Sequence, residues 1–337
     1  MTPRVSILLP VRDAAGTLPD ALGSLTRQTA TDWECILVDD ASRDATAAVA
    51  RDWAARDRRI VVHRLPEHGG IVAALRCGVS HARGRFLARQ DADDISLPTR
   101  LETTLARIEP DRSVGAAACG VELFPAPAIG PGLRAYAEWL NGLITPEALA
   151  REIWVESPLP HPAVVMRREA YEEVGGYQEP PWPEDYDLWL RMHGAGWKLV
   201  QTGEVLYRWR HHQGRLTFRD PRYDPAAFLA CKLHHLMPHL RDRSLLIWGA
   251  GRDGKRLARA LGERGCNPVG FIDIDPRKIG RTRLGLPVRA PGCLEGGPGS
   301  PPHRILVAVG TAGARELIRR RLVEMGWTEP EDFLCLH

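Results

Sequence analysis

Short apolar runs broken by acids and glycines organise the first hundred residues. Residues 5–10 (VSILLP) form a nearly unbroken apolar run closed by proline, the pattern of a buried strand. Leu18, Leu22 and Leu25 follow at spacings of four and three, one face of a helix. Residues 35–38 predict a second strand, which stops at Asp39-Asp40. Helical spacing returns over 42–53, a third strand is predicted at 60–63, and a helix at 69–82. Residues 86–88 predict a strand that runs into Asp91-Ala92-Asp93-Asp94. Strands and helices in alternation predict a parallel sheet covered by helices. Ligands of such sheets sit outside the carboxyl ends of the strands, which is where both acidic clusters stand.

Beyond residue 114 the pattern weakens. Pro125, Pro127 and Pro131 mark residues 115–160 as a loop or an inserted segment, and order resumes near His161. Phe228, Leu229, Leu233, Leu236, Met237 and Leu240 predict a helix that closes a first domain. A fresh strand at 244–248 then opens a second one, so the expected domains are 1–240 and 241–337. Gly249, Gly251 and Gly254 form G-x-G-x-x-G between that strand and a helix, the context for a tight turn and close approach to a pyrophosphate. Asp273, near the end of the next strand, stands where a ribose-binding acid belongs. These four residues are a candidate second ligand site in a small Rossmann-like domain. The alternative keeps the glycines for the turn alone and makes the domain a scaffold or dimer surface. No acid, base or nucleophile set accompanies them, so redox use of NAD is not expected. Residues 291–302 are rich in glycine and proline and predict a loop.

Composition changes this picture little. A chain of 337 residues with 44% hydrophobic and 26% charged residues is an ordinary globular one of about two domains. A net charge of +3 gives no reason to expect nucleic acid as a partner. No window approaches the roughly 18 apolar residues of a membrane span, and residues 5–11 are too short for a signal peptide core. Seven scattered cysteines without a CxxC pair argue against a disulfide framework or zinc site and for a reducing compartment. A cytoplasmic location is expected, with peripheral work at the inner membrane face left open.

The acids carry the candidate chemistry. Asp91 and Asp93, at i and i+2 beyond a strand, can aim two carboxylates one way, with small Ala92 between them leaving room for a nucleotide. Hard cations such as Mn²⁺ or Mg²⁺ prefer such oxygens. Glu184-Asp185, in WPEDYD, offers a general base. Each piece also has an ordinary reading. A lone D-x-D is commonly a turn, Asp39-Asp40 with Ser42 suits a helix cap, and Glu184-Asp185 after Pro183 suits a helix N-terminus. His161, His211 and His212 can be surface or satisfied histidines, and Trp182, Tyr186 and Trp189 can be core.

The order of the pieces is more specific. The chain begins VSILLPVRDAAGTLPDALGSLTRQTATDWECILVDDASRD and continues GGIVAALRCGVSHARGRFLARQDADDISLPTRLE. It resumes HPAVVMRREAYEEVGGYQEPPWPEDYDLWLRMHGAG and reaches YRWRHHQGRLT. Over residues 4–218 it resembles the family 2 glycosyltransferases, the inverting group with the GT-A fold. The resemblance implies transfer of a sugar from a nucleotide sugar, commonly UDP-linked, to an acceptor hydroxyl. That acceptor could be a glycan, a lipid-linked molecule or a small molecule, and a homo-oligomer is left open. Pro10, Val11, Arg12 and Asp13 would form the first nucleotide-binding loop, although the family usually carries an aromatic residue and Asn where Arg12 and Asp13 stand. Asp39 and Asp40 match the acids that hold the base or ribose. Asp91 and Asp93 match the metal and diphosphate motif, Asp185 the catalytic base, and Glu184 its acceptor-side neighbour, with Trp182 beside it. Arg100 matches a structural arginine. His212 aligns with a metal or diphosphate contact, His211 by a one-residue slip, and His161 is a weaker site candidate. The C-terminal segment resembles the small Rossmann-like domains of bacterial sugar acyltransferases. A Rossmann-type oxidoreductase or epimerase and a non-catalytic nucleotide-sugar binder are the competing classes.

Overall fold

A computed structural model describes residues 2–240, 243–298, 303–311 and 313–337. The expected boundary after residue 240 meets residues 241 and 242, which lie outside the described residues, as do positions 299–302 of the glycine- and proline-rich stretch. The chain divides into two compact units, one running to Ala150 with Ser157–Pro221 added, the other Arg151–Glu156 with Arg222–His337.

The first unit contains, in order, β1 (Val5–Val11), α1 (Leu18–Thr26), β2 (Trp33–Asp39), α2 (Thr46–Arg56), β3 (Ile60–Arg64), α3 (Gly70–His81), β4 (Phe86–Arg89), β5 (Ile95–Ser96) and α4 (Arg100–Ile108). It continues with β6 (Val114–Phe124), α5 (Pro131–Gly142), α6 (Pro146–Glu152), whose end crosses into the second unit, β7 (Val164–Arg167), α7 (Arg168–Glu173), α8 (Glu184–Gly194) and β8 (Lys198–Arg210). These eight strands form one sheet, ordered β3-β2-β1-β4-β7-β6-β8-β5. β3, β2, β1 and β4 run parallel, and β7 lies antiparallel between β4 and β6. β1 and β2 are buried on both faces, so they read as apolar runs and not as alternation. On α4 the buried Leu101, Leu105 and Ile108 recur at helical spacing.

The expected loop or insert after residue 114 is instead a long strand, β6, followed by two helices. Gly115, Ala116, Ala117, Ala118, Cys119 and Gly120 are all buried and small, so no size or polarity alternation marks the strand. Close approach explains the small residues: a Cβ on Gly115 would meet the Trp197 Cβ at 2.9 Å.

The second unit holds α9 (Pro225–Leu236), β9 (Ser244–Trp248), α10 (Arg252–Gly262), β10 (Gly270–Ile272), β11 (Thr282–Arg283), β12 (Leu286–Arg289), β13 (His303–Val307), α11 (Ala314–Glu324) and β14 (Phe333–Cys335). Its sheet is ordered β11-β12-β10-β9-β13-β14, parallel except for the β11 edge. The helix α9, expected to close the first domain, groups with this second unit. Among the described residues no helix is long and apolar enough to cross a membrane.

Candidate active site

The parallel register brings three strand ends together. Val11 pairs with Asp39 across β1 and β2, and Leu8 pairs with Arg89 across β1 and β4. Arg12 and Asp13, Asp39 and Asp40, and Asp91 to Asp94 therefore leave the sheet at one edge.

The loop after β4 gathers the acids. Carboxylate oxygens of Asp91, Asp93 and Asp94 all lie within 4.8 Å of one another. Each takes a different partner. The buried guanidinium of Arg89 donates to Asp91 Oδ1 at 2.5 Å. His212 Nε2 lies 2.9 Å from Asp93 Oδ2. Asp94 is buried and accepts from the Tyr207 hydroxyl at 3.0 Å and from the Arg210 amide at 2.6 Å. Burial first, then the charges of Asp91 and Asp93, drive the Asp94 carboxyl well above the usual range. The end of β8 is thus fastened to the acidic loop, which is why His212 and not His211 reaches it. His211 instead packs edge-on against Phe218, with ring centroids 5.3 Å apart. Arg100 has the expected structural place. It is buried, donates to Gln90 Oε1 at 3.0 Å and Ser96 Oγ at 2.7 Å, and lies 4.8 Å from the Tyr207 ring.

The two acids after β2 differ. Asp39 is buried, and its Oδ1 accepts from the Ser42 amide at 2.9 Å. Its Oδ2 accepts no hydrogen bond among the described residues, and its ion pair with Arg64 Nε is 3.6 Å long. Asp40 accepts from the Gly69 amide at 2.7 Å and the Gly70 amide at 3.0 Å, with His68 Nδ1 at 2.7 Å. It therefore closes the start of α3. Pro10 and Val11 end β1, and Asp13 follows with φ of 46°. The Asp13 amide donates to Ser42 Oγ and its carboxylate accepts from the Arg43 amide, so the loops after β1 and β2 are tied together. One Arg12 nitrogen, Nη1, is buried without a hydrogen-bond partner among the described residues.

Glu184 and Asp185 open α8, in its first turn with Asp187. Glu184 is buried and Asp185 half-buried. Asp185 Oδ1 accepts from the Tyr186 amide at 2.7 Å. Trp182 is held by its indole, which donates to Asp187 Oδ1 at 3.0 Å, and Asp187 Oδ2 accepts from Arg191 at 2.7 Å.

The model of glycosyl transferase family 2 matches residues 6–175. The chain belongs to glycosyl transferase family 2. It is 33% identical over 225 residues to EpsE of Bacillus subtilis (strain 168), provisionally named a glycosyltransferase, covering 66% of this chain and 78% of that protein. It is 29% identical over 208 residues to the amylovoran biosynthesis glycosyltransferase AmsE of Erwinia amylovora, covering 61% of this chain and 75% of that one. Among solved structures, TarS 1-349 of S. aureus with UDP-GlcNAc superposes with a TM-score of 0.54 at 15% identity, covering 77% of this chain and 71% of that one. The mannosyltransferase PcManGT from Pyrobaculum calidifontis, in complex with GDP-Man and Mn²⁺, gives 0.51 at 20% identity, covering 71% and 64%. The first unit is thus a GT-A-type fold, and the chain is a glycosyltransferase.

In this family 2 transferase, three residues of the site neighbourhood escaped the sequence reading. Arg89, Tyr177 and Tyr207 are all buried, and each carries a polar group. Arg89 left a signal, since a charge inside a buried strand needs a partner. The candidate second site is self-contained. Asp273 accepts from the Ala250 amide at 2.9 Å and the Lys278 ammonium at 3.0 Å. Gly249 has φ of 114°, a backbone conformation side chains rarely adopt. A Cβ on Gly254 would sit 1.7 Å from the Gly249 carbonyl oxygen, whereas one on Gly251 would meet nothing within 4 Å.

Proposed function

We propose that this transferase moves a sugar from a nucleoside diphosphate sugar, UDP-linked in the first instance, to an acceptor hydroxyl with inversion, in the assembly of a bacterial-type polysaccharide. The observation that carries the reading is the cluster of Asp91, Asp93 and Asp94 at the carboxyl end of β4, with His212 against Asp93. The relatives agree in kind, since AmsE is named for amylovoran biosynthesis and the two superposed structures hold UDP-GlcNAc and GDP-Man.

The cluster fits a divalent cation. Three carboxylates at this separation repel one another, and oxygen donors with one imidazole suit Mn²⁺ or Mg²⁺. Asp91, Asp93 and His212 would hold the ion, while Asp94 orients the loop through Tyr207 and Arg210. When bound, the cation offsets the charge that develops on the departing diphosphate. Asp39, with a buried oxygen that accepts no hydrogen bond among the described residues, receives an N–H or O–H of the nucleoside. The loop of Pro10, Val11, Arg12 and Asp13 lines the same side, and Ala92 leaves the nucleotide room. Asp185 takes the proton of the acceptor hydroxyl as it attacks the anomeric carbon from the face opposite the leaving group. Glu184 and Trp182 flank the acceptor. In this reading the transferase domain is the first unit, and the second is a small Rossmann-like domain whose Gly249, Gly251 and Gly254 form the turn from β9 into α10.

Calorimetric titration of UDP, and of GDP in parallel, with and without Mn²⁺ tests the donor half. Mn²⁺-dependent affinity that Asp93→Ala abolishes is expected. Equal affinity with and without Mn²⁺ would remove the cation from the site.

A further inference from the structure

We infer that His161 and Tyr177 are positioning residues: they hold Arg89 against Asp91 and so link the donor loop to the loop that leads into Glu184 and Asp185. The inference rests on the donor reading above. Its geometry is a continuous buried line. Arg89 Nη2 donates to Asp91 Oδ1 at 2.5 Å, and Arg89 Nε donates to His161 Nε2 at 3.3 Å. The same ring nitrogen lies 2.7 Å from the Tyr177 hydroxyl. Arg89, His161 and Tyr177 are each more than nine-tenths buried, at 0%, 8% and 2% exposure.

Buried guanidinium protons need acceptors, because an unmet one costs its full desolvation. Arg89 Nη1 is met by the carbonyls of Leu8 at 3.3 Å and Gln90 at 3.0 Å. Nε has His161. To accept there, the imidazole must keep Nε2 unprotonated. Burial first, and the Arg89 charge second, push the His161 pKa well below its usual value and hold the ring neutral. Tyr177 then serves as donor to the same lone pair. Packing fixes the ring as well: Tyr177 and Trp189 stand edge-on to it, with centroids 5.5 and 6.1 Å away.

Tyr177 is itself anchored. Its amide donates to Tyr171 Oη at 2.9 Å, and its carbonyl accepts from Arg76 Nε at 2.9 Å. Burial raises the Tyr177 pKa well above its usual value, the Arg89 charge opposes the rise, and Tyr171, Glu184 and Asp185 add to it. The line therefore has one end on a donor-side carboxylate and the other in the segment that runs into Glu184 and Asp185 at the start of α8. By fixing one Asp91 oxygen it sets the direction of the other, and displacements of about 1 Å in such groups cost up to ~10²-fold in rate.

The test uses the full chain and the variants His161→Phe, His161→Gln and Tyr177→Phe. Thermal unfolding is followed beside calorimetric titration of UDP and GDP in Mn²⁺. His161→Phe keeps bulk without an acceptor, and nucleotide affinity should fall about tenfold or more, the usual loss for a partner one shell out. His161→Gln restores an acceptor and should return affinity to within about threefold of wild type, even where it melts as low as the Phe variant. Tyr177→Phe removes one oxygen and should cost about fivefold, one hydrogen bond's worth. It carries the test if His161→Phe does not fold. Packing alone would lower melting and leave the affinity of the folded protein unchanged. Unchanged affinity in Tyr177→Phe or in a folded His161→Phe, or equal losses in the His161→Phe and His161→Gln variants, overturns the inference. A ligand-free cycle decides it separately: Tyr177→Phe and Asp91→Asn together should lower the melting temperature by less than the sum of their separate effects. Strict additivity overturns the positioning role. Failure of the wild type to bind either nucleotide sinks the donor reading, and the cycle still decides the line.

Discussion

Asp40→Ala separates the two acids at the end of β2. In the resemblance both hold the nucleotide, but the Asp40 carboxylate accepts from the Gly69 and Gly70 amides at 2.7 and 3.0 Å, and α3 begins at Gly70. Removing it leaves two N-terminal amides of a helix without their anion. Gly69 is exposed and Gly70 half-buried, so water can replace the carboxylate and the full buried penalty does not apply. The appropriate scale is helix capping, about 0.5–2 kcal/mol, with about 0.3–1 kcal/mol more for a negative charge at the helix N-terminus. The expected loss is about 2 kcal/mol, or a fall of about 4–8 °C in Tm for a domain of this size. Asp40→Asn keeps one neutral acceptor and should lose about half as much. Circular dichroism melts give the stability, and UDP titration in Mn²⁺ gives the affinity. Asp40→Ala should bind UDP within about threefold of wild type once allowance is made for unfolded protein. Asp39→Ala should weaken binding about tenfold, the scale of one charge-assisted hydrogen bond. A variant at Asp40 that melts within about 1 °C of wild type yet loses nucleotide affinity would refute the capping argument, since only a ligand contact produces that pair of results.

Three further outcomes are expected. Asp185→Asn should lower kcat by about 10²–10⁴-fold, the usual worth of a general base, with UDP affinity unchanged; undiminished turnover removes Asp185 from that role. The Asp111 carboxyl is pulled from an ordinary 3.8 to about 2 by the Ser113 hydroxyl, the Ser113 amide and Lys198. A carboxyl depressed by folding stabilises the fold above pH 3.8 and loses that contribution as pH falls toward about 2. Asp111→Asn should therefore flatten the acid limb of stability between those values, and urea unfolding at pH 5 and pH 3 that shows the wild-type slope in the variant contradicts the assignment. Gly254→Ala forces a Cβ to within 1.7 Å of the Gly249 carbonyl oxygen. The turn must shift, at a cost of about 1–3 kcal/mol or more, read as an earlier loss of structure in thermal or urea melts. Wild-type stability in that variant means the turn opens without strain.

How much of this was legible before the fold depended on what makes a pattern visible. Strands β1 and β2 stood out because parallel strands buried on both faces are continuous apolar runs. β6 did not, because its buried centre is glycine, alanine and cysteine, chosen for close approach and not for size. The acids stood out in the sequence because carboxylates at strand ends break apolar runs. Their hydrogen-bond partners did not, because those of Asp93 and Asp94 lie far along the chain. Asp94 is 113 residues from Tyr207, and Asp93 is 119 from His212. Those partners now divide the acids by the hydrogen bonds they already accept. Asp40 is committed to the amides of α3, and both oxygens of Asp94 are committed to Tyr207 and the Arg210 amide. Asp39 keeps a buried oxygen that accepts no hydrogen bond among the described residues. Asp91 and Asp93 meet Arg89 and His212, cationic or proton-carrying side chains that a bound cation or diphosphate can compete with or join. In the proposed reading the acids that matter to a ligand are the ones whose protein partners leave charge or hydrogen-bonding capacity to offer, and by that criterion Asp39, Asp91 and Asp93 would define the donor side while Asp40 and Asp94 would hold the loops that present them.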